Sequence, residues 1–237
     1  MSLYRDQGVV LRTMRLGEAD RIVSIVTRAH GKVRAVAKGV RRTKSKFGGR
    51  LEPLSHVTMM CWRGRELDIV NQVEVIDSFR SVREDLNRVT KAYTLLEVVD
   101  QLSQEGHSNP SLYDMLVRAL GVLGRDDPVA LVPAFLLKAL ALEGSAPFLD
   151  ACVSCGEPDE LVAFDPVEGG ALCRSCRRGR PLSPGALDLM RRVLGGDLAA
   201  VLREEGPAVD EMGDIAAEAM EVHLDRRIRS LRVGHGI

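Results

Sequence analysis

The chain has 237 residues, 45% of them apolar and 28% charged, a balance that excludes disorder and collagen and is long enough for more than one packed core. Its 33 basic and 33 acidic side chains cancel. Taken whole, that argues against a polyanion binder, but residues 1–80 hold 16 Lys/Arg and 8 Asp/Glu, so a +8 segment precedes a remainder of −8. No apolar run approaches about 18 residues, and the N-terminal MSLYRDQGVV meets charge at once, so the chain is expected to be neither exported nor membrane-spanning. Only 4% of residues are aromatic, which limits any mechanism built on many stacking platforms.

The first eighty residues alternate with period two and break at turn residues, the pattern of a small barrel. Five strands are predicted: Gly8 to Met14, Arg21 to Thr27, Lys32 to Lys38, Ser55 to Arg63 and Leu67 to Ile76. The last two are joined across Gly64-Arg65-Glu66 as a tight hairpin. Five strands with one long excursion between the third and fourth predict an OB-type barrel over residues 1–80.

From Ser81 the period becomes helical. Leu86, Val89, Tyr93, Leu96 and Val99 keep the spacing of one buried stripe. Asn109-Pro110, Asp127-Pro128 and Ser183-Pro184 each pair a capping side chain with proline at a first helical position, and Gly144 is a stop signal. A last helix is expected from Asp210 to Leu231, acidic at its start and carrying Arg226, Arg227, Arg229 and Arg232 at its end. The whole is an α+β chain: a barrel over 1–80, a helical domain over 81–149 and 182–237, and an inserted module over 150–181.

That module carries Cys152-Val153-Ser154-Cys155 and Cys173-Arg174-Ser175-Cys176. Each two-residue spacer lets a tight turn aim both sulfurs at one tetrahedral centre, and four thiolates fill the shell of Zn2+. With no position left for water the metal is structural, one per chain, and staples a segment too poor in apolar residues to fold unaided. The alternative is four unliganded or disulfide-bonded cysteines. Arg174, Arg177, Arg178 and Arg180 could touch nucleic acid, but Glu157, Asp159, Glu160, Asp165 and Glu168 offset them, so the staple is the favoured role. Cys61 stands alone on a strand as a small buried hydrophobe.

Between residues 32 and 50 lie Lys32, Arg34, Lys38, Arg41, Arg42, Lys44, Lys46 and Arg50, with no acidic residue among them. Cations so spaced track a phosphate backbone, Gly39, Gly48 and Gly49 make the stretch flexible, and Phe47 offers a ring on which an unpaired base can stack. Trp62 and Tyr4 are further platforms. The competing reading is a solvated loop kept basic for solubility. Nothing in the segment reads bases, so binding is expected to be sequence-independent and salt-dependent. Phosphate-loop motifs and a G-x-S-x-G nucleophile turn are missing, and His30, His56, His107, His223 and His235 are scattered, each read as a turn or surface residue. No catalytic constellation is assembled, so the chain is not expected to be an enzyme.

The segments Gly17-Glu18-Ala19-Asp20-Arg21-Ile22, His30-Gly31-Lys32 with Ala35 to Arg42, and Phe47-Gly48-Gly49-Arg50-Leu51-Glu52-Pro53, followed by helices and a four-cysteine module, resemble the RecO family of bacterial DNA repair proteins. The resemblance implies a recombination mediator that binds single- and double-stranded DNA and anneals complementary strands. With RecR, such a protein helps RecA load on DNA coated by single-strand-binding protein. It also implies a helical domain that takes the acidic C-terminal tail of single-strand-binding protein, no membrane partner, and a cytoplasmic, nucleoid-associated location. Some members of the family lack the cysteines, which fits a structural metal. Arg88, Lys91, Arg118 and Lys138 are the cations available to such a tail, with no choice among them. Two other classes stay open: a zinc-stapled nucleic-acid-processing enzyme, and an RNA-binding factor, since an OB barrel does not declare its sugar.

Overall fold

The computed structural model describes Ser2–Val233; His235 lies outside the described residues, as does the side chain of Arg232. The chain forms two compact units, Met1–Arg125 with the stretch from Ser230, and Asp126–Arg229.

In the first unit β1 (Leu3–Leu16), β2 (Asp20–Thr27), β3 (Gly31–Ala37), β4 (His56–Trp62) and β5 (Asp68–Asp77) close a barrel in the order β1-β2-β3-β5-β4. β1 is longer than its apolar run because it serves two partners. Its first half pairs β4 from Leu3↔Trp62 to Val9↔His56, and its second half pairs β2 from Gly8↔Thr27 to Leu16↔Asp20. The register slips between Val10 and Arg12, the extra residue that bends a strand around a barrel. Inward positions of the alternating strands fill the core with Val10, Val23, Ile25, Ala35, Val57, Met59, Cys61 and Val73. Cys61 is fully buried, as expected.

Three helices belong to the same unit: α1 (Arg80–Arg83), α2 (Leu86–Leu102) and α3 (Pro110–Arg125). Asn109 caps α3, its Oδ1 accepting from Leu112 N at 3.0 Å. The expected α2 stripe is rotated: Leu86 is 73% exposed and Tyr93 43%, while Ala92, Leu95, Leu96, Val98 and Val99 are buried. The buried face is broader than one stripe and centred on Leu95, and it includes small Ala92, invisible to a count of large apolar residues.

The second unit packs α5 (Pro184–Gly195) and α7 (Pro207–His223) against α4 (Leu131–Leu142), which is buried over nearly its whole circumference. Ser183 caps α5 as expected, accepting from Ala186 N at 3.2 Å. Asp127-Pro128 does not open α4. Asp127 takes φ 49° and the helix begins four residues later at Leu131, with Pro133 tolerated in the first turn. Gly144, φ 77°, follows the end of α4. α6 (Leu198–Val201) is a single turn. The expected single last helix is two. α7 stops at His223, Asp225 turns left-handed at φ 47°, and α8 (Arg229–Val233) follows. The charged Asp225-Arg226-Arg227 has nothing apolar to bury, and aspartate is among the few residues that tolerate that conformation. Between α4 and α5 sits a three-stranded sheet, order β7-β6-β8, formed by β6 (Leu161–Asp165), β7 (Gly170–Cys173) and β8 (Arg180–Pro181).

Candidate nucleic-acid interface and metal centre

The excursion from β3 to β4 hangs on two apolar anchors. Phe47, 2% exposed, and Leu51 insert into the barrel core, and Gly48–Leu51 forms a short 3-10 turn between them. Phe47 therefore does not offer its ring to a base. Its face is covered by the core and overlain by Lys46 Nζ, 5.0 Å from the ring centre. The glycines do not leave the loop free either. Gly39 N donates to Asp20 Oδ1 at 2.7 Å, Arg41 N to Ala19 O at 2.9 Å, and the Arg41 guanidinium to Glu18 O at 2.8 Å, fastening the loop to the β1–β2 turn. Lys46 Nζ donates to Asn71 O at 2.8 Å. Beside it a groove of about 440 Å³ runs between Lys46, Arg50 and β5 residues Asn71 to Val75.

The eight cations separate into two groups. Lys32 and Arg34 project from β3 toward the end of α2 and meet carboxylates: Lys32 Nζ lies 3.4 Å from Asp100 Oδ1, and Arg34 lies 3.6 Å from Glu105. Each therefore has a carboxylate within reach in the unit, Asp100 being shared with Arg12 at 2.6 Å. Lys38, Arg41, Arg42, Lys44, Lys46 and Arg50 are exposed, and among the described residues none of them is in an ion pair. Where they bond, they bond to carbonyls, which leaves the net charge in place. Trp62, 37% exposed at the end of β4, is presented to solvent. Tyr4 is half-buried, its hydroxyl donating to Asp68 Oδ2 at 2.5 Å. Of the histidines, His56 departs from the surface reading. It is buried on β4 with Nε2 2.7 Å from the Tyr113 hydroxyl on α3, an anchor between barrel and helix that needed the partner in space to be seen.

In the second unit the Sγ atoms of Cys152, Cys155, Cys173 and Cys176 lie within 4.8 Å of one another, and Cys155 and Cys173 are 3.7 Å apart. Sulfurs about 2.3 Å from a tetrahedral ion stand about 3.8 Å from each other, so the cluster has the size of a four-thiolate site. Burial alone would raise the Cys152 thiol, but backbone N–H groups of Cys173, Cys155 and Ser154 outweigh it and bring Cys152 to about 6. Hydrogen bonding to Cys155, with burial behind it, pushes Cys176 up to about 12. Four clustered thiols with N–H donors aimed at a sulfur fit a cation that ionises all of them.

Three of the four arginines around this cluster are already paired, and Arg177 is exposed with no ion pair among the described residues. Arg174 pairs with Glu160 at 3.2 Å, Arg178 with Asp165 at 2.9 Å and with Glu168, and Arg180 with Asp214 at 3.0 Å and Glu218 at 2.5 Å. Asp165 also accepts from Val167 N and Glu168 N; although its burial works the other way, these donors and Arg178 hold its carboxyl below the ordinary value. Gly179, φ 72°, is needed where β8 turns under β6, since a Cβ there would stand 2.3 Å from Phe164 O.

Family models described as Recombination protein O N terminal and Recombination protein O C terminal match residues 1–79 and 83–232. Their junction falls at the end of the barrel, whereas the compact units divide after Arg125, because α1 to α3 pack on the barrel. No helix among the described residues is long and apolar enough to cross a membrane. A closed five-stranded barrel bearing unanswered cations, a helical region with a four-cysteine cluster, and family matches over nearly the whole length agree: the chain belongs to the recombination protein O family of DNA repair and recombination mediators, which bind DNA.

Proposed function

We propose that this protein binds single- and double-stranded DNA through its barrel and anneals complementary strands, and that with RecR it helps RecA load on DNA covered by single-strand-binding protein. The observation that carries this reading is the set of six exposed cations between Lys38 and Arg50 that no carboxylate neutralises, on a barrel of OB topology. Phosphates meeting these side chains release condensed counterions, and two strands held on one positive surface repel each other less, so pairing is favoured without covalent chemistry. The helical region is the docking surface for recombination partners, among them the acidic tail of single-strand-binding protein. Of the cations available to it, Arg88 and Lys138 donate to carbonyls, of Gly124 and Leu194 respectively, and Arg118 is exposed. The metal is Zn2+ and its bound form cross-links the β6–β7 hairpin to the Cys152 turn; the protein works in the cytoplasm, at the nucleoid.

The deciding experiment follows annealing of two labelled complementary strands without ATP at rising salt. Acceleration that fades with salt and leaves both strands intact is expected. Strand cleavage, no acceleration, or a marked preference for RNA over DNA of the same length overturns the reading.

A further inference from the structure

We propose that Trp62 is the contact by which the barrel tells unpaired from paired DNA, its indole stacking on a nucleobase while Arg5, Arg63 and Arg65 neutralise the adjoining phosphates. The inference rests on the DNA-binding reading above and adds to it a strand-selective site distinct from the 38–50 loop.

Alternation along β4 puts Val57, Met59 and Cys61 inside the barrel and Trp62 outside. The register then aligns outward side chains across four strands: Leu3 opposite Trp62, Trp62 opposite Ile69, and Ile69 opposite Val36. Leu3 is 40% exposed and Trp62 37%, so this end of the apolar row faces water, where a barrel surface ordinarily carries polar residues, while Ile69 and Val36 are half-buried. The barrel is closed, so the backbone of the row is already paired and only side chains are offered to a ligand.

The charge around the row identifies the occupant. Arg5, Arg63 and Arg65 are exposed and, among the described residues, form no ion pair; Glu66 is the single acid of the β4–β5 turn. An apolar floor rimmed by unanswered guanidinium groups suits a ligand with π faces and phosphates, an unpaired strand. A protein partner's acidic rim would satisfy the cations but has no need of a flat indole.

The platform is also built in advance. Asp68 Oδ1 accepts from Gly64 N at 2.8 Å while its Oδ2 accepts from the Tyr4 hydroxyl, and Arg63 N donates to Ser2 O at 2.8 Å. The Arg63 guanidinium lies 5.3 Å from the Tyr4 ring centre. Position 64 must be glycine, since a Cβ there would stand 1.9 Å from Leu67 O. A turn so fixed gives up little conformational freedom when a base arrives. In duplex DNA every base face inside the stack is occupied, so stacking distinguishes strands while phosphate binding by residues 38–50 does not.

Trp62 is the sole tryptophan, so the protein's indole emission reports this site alone. Emission and the anisotropy of labelled DNA are followed together while the full-length protein is titrated with an oligo-dT strand and with a duplex of equal length. Expected are quenching by the single strand but not the duplex, and, in Trp62→Ala, single-strand affinity lower on the order of tenfold with duplex affinity held. Trp62→Phe, which keeps a ring, restores most of that affinity. DNA that binds by anisotropy without changing the emission overturns the inference and leaves the DNA-binding reading standing. The inference also falls if Trp62→Ala weakens strand and duplex alike. Binding of neither DNA overturns both readings.

Discussion

Residues 38–50 and 174–180 are two basic segments of similar look in the sequence, and they present different fields. In the first, six exposed cations meet carbonyls, solvent or, for Lys46, the Phe47 ring, and no carboxylate among the described residues. In the second, Arg174, Arg178 and Arg180 are each held by one or two carboxylates of the same unit, and Arg177 alone is left without an ion pair among the described residues. A count of basic residues does not measure what a polyanion meets; what matters is whether a carboxylate is within reach once the chain has folded. The first segment keeps its charge for a ligand, and the second uses its charge to position a small hairpin around four thiols.

The largest test of this contrast removes the metal ligands. Cys152→Ser with Cys155→Ser should abolish bound zinc and lower the unfolding temperature strongly. A four-thiolate site contributes a sizeable part of the about 10–16 kcal/mol seen for structural zinc in small peptides. DNA affinity, measured on the same preparation below its unfolding temperature, should change far less. A larger loss of affinity than of stability would make the second unit a DNA surface and end the contrast.

Next in size is the charge itself. Replacing Arg41, Arg42, Lys44 and Lys46 together by Ala should weaken DNA binding and flatten the plot of log affinity against log salt by about 0.7–0.9 for each phosphate that is no longer neutralised. Replacing Arg174, Arg178 and Arg180 by Gln should leave that slope unchanged and cost stability by no more than about 1 kcal/mol for each exposed pair. Equal slopes in the two variants would refute the distinction between free and answered cations.

The smallest effect concerns the anchoring of the barrel to α3. Burial lowers the His56 imidazole below its ordinary 6.5, against a weaker upward pull from Asp77. The unfolded chain then takes up this proton more readily than the folded one. Stability from His56 is complete above pH 6.5 and is lost as pH falls through its lowered folded value. Unfolding midpoints taken from pH 7.5 to pH 5 should fall, and His56→Gln should flatten the part of that fall that begins near 6.5; an identical profile would remove His56 from the account.

Much of the architecture was legible because it rests on local chemistry. Period-two alternation marked the five barrel strands, Asn109 and Ser183 marked two helix starts, and the spacing of Cys152, Cys155, Cys173 and Cys176 marked one cluster. The misreadings occur where local signals compete with packing. Asp127-Pro128 has the form of a cap but lies in a turn ahead of α4, and the long apolar periodicity after Asp210 concealed a break at Asp225. Phe47, surrounded by cations, reads as a stacking ring until the barrel core claims it.

By itself the sequence determined which residues alternate, which cap and which sulfurs meet, since spacing along the chain sets those outcomes. Tertiary structure alone decided which charges remain available and which rings face water. Asp100 and Glu105 come to Lys32 and Arg34 from about seventy residues away, and Phe47 is buried while Trp62 is left outside. Neutralisation and burial depend on what stands within a few ångströms in space, and spacing along the chain does not fix those distances.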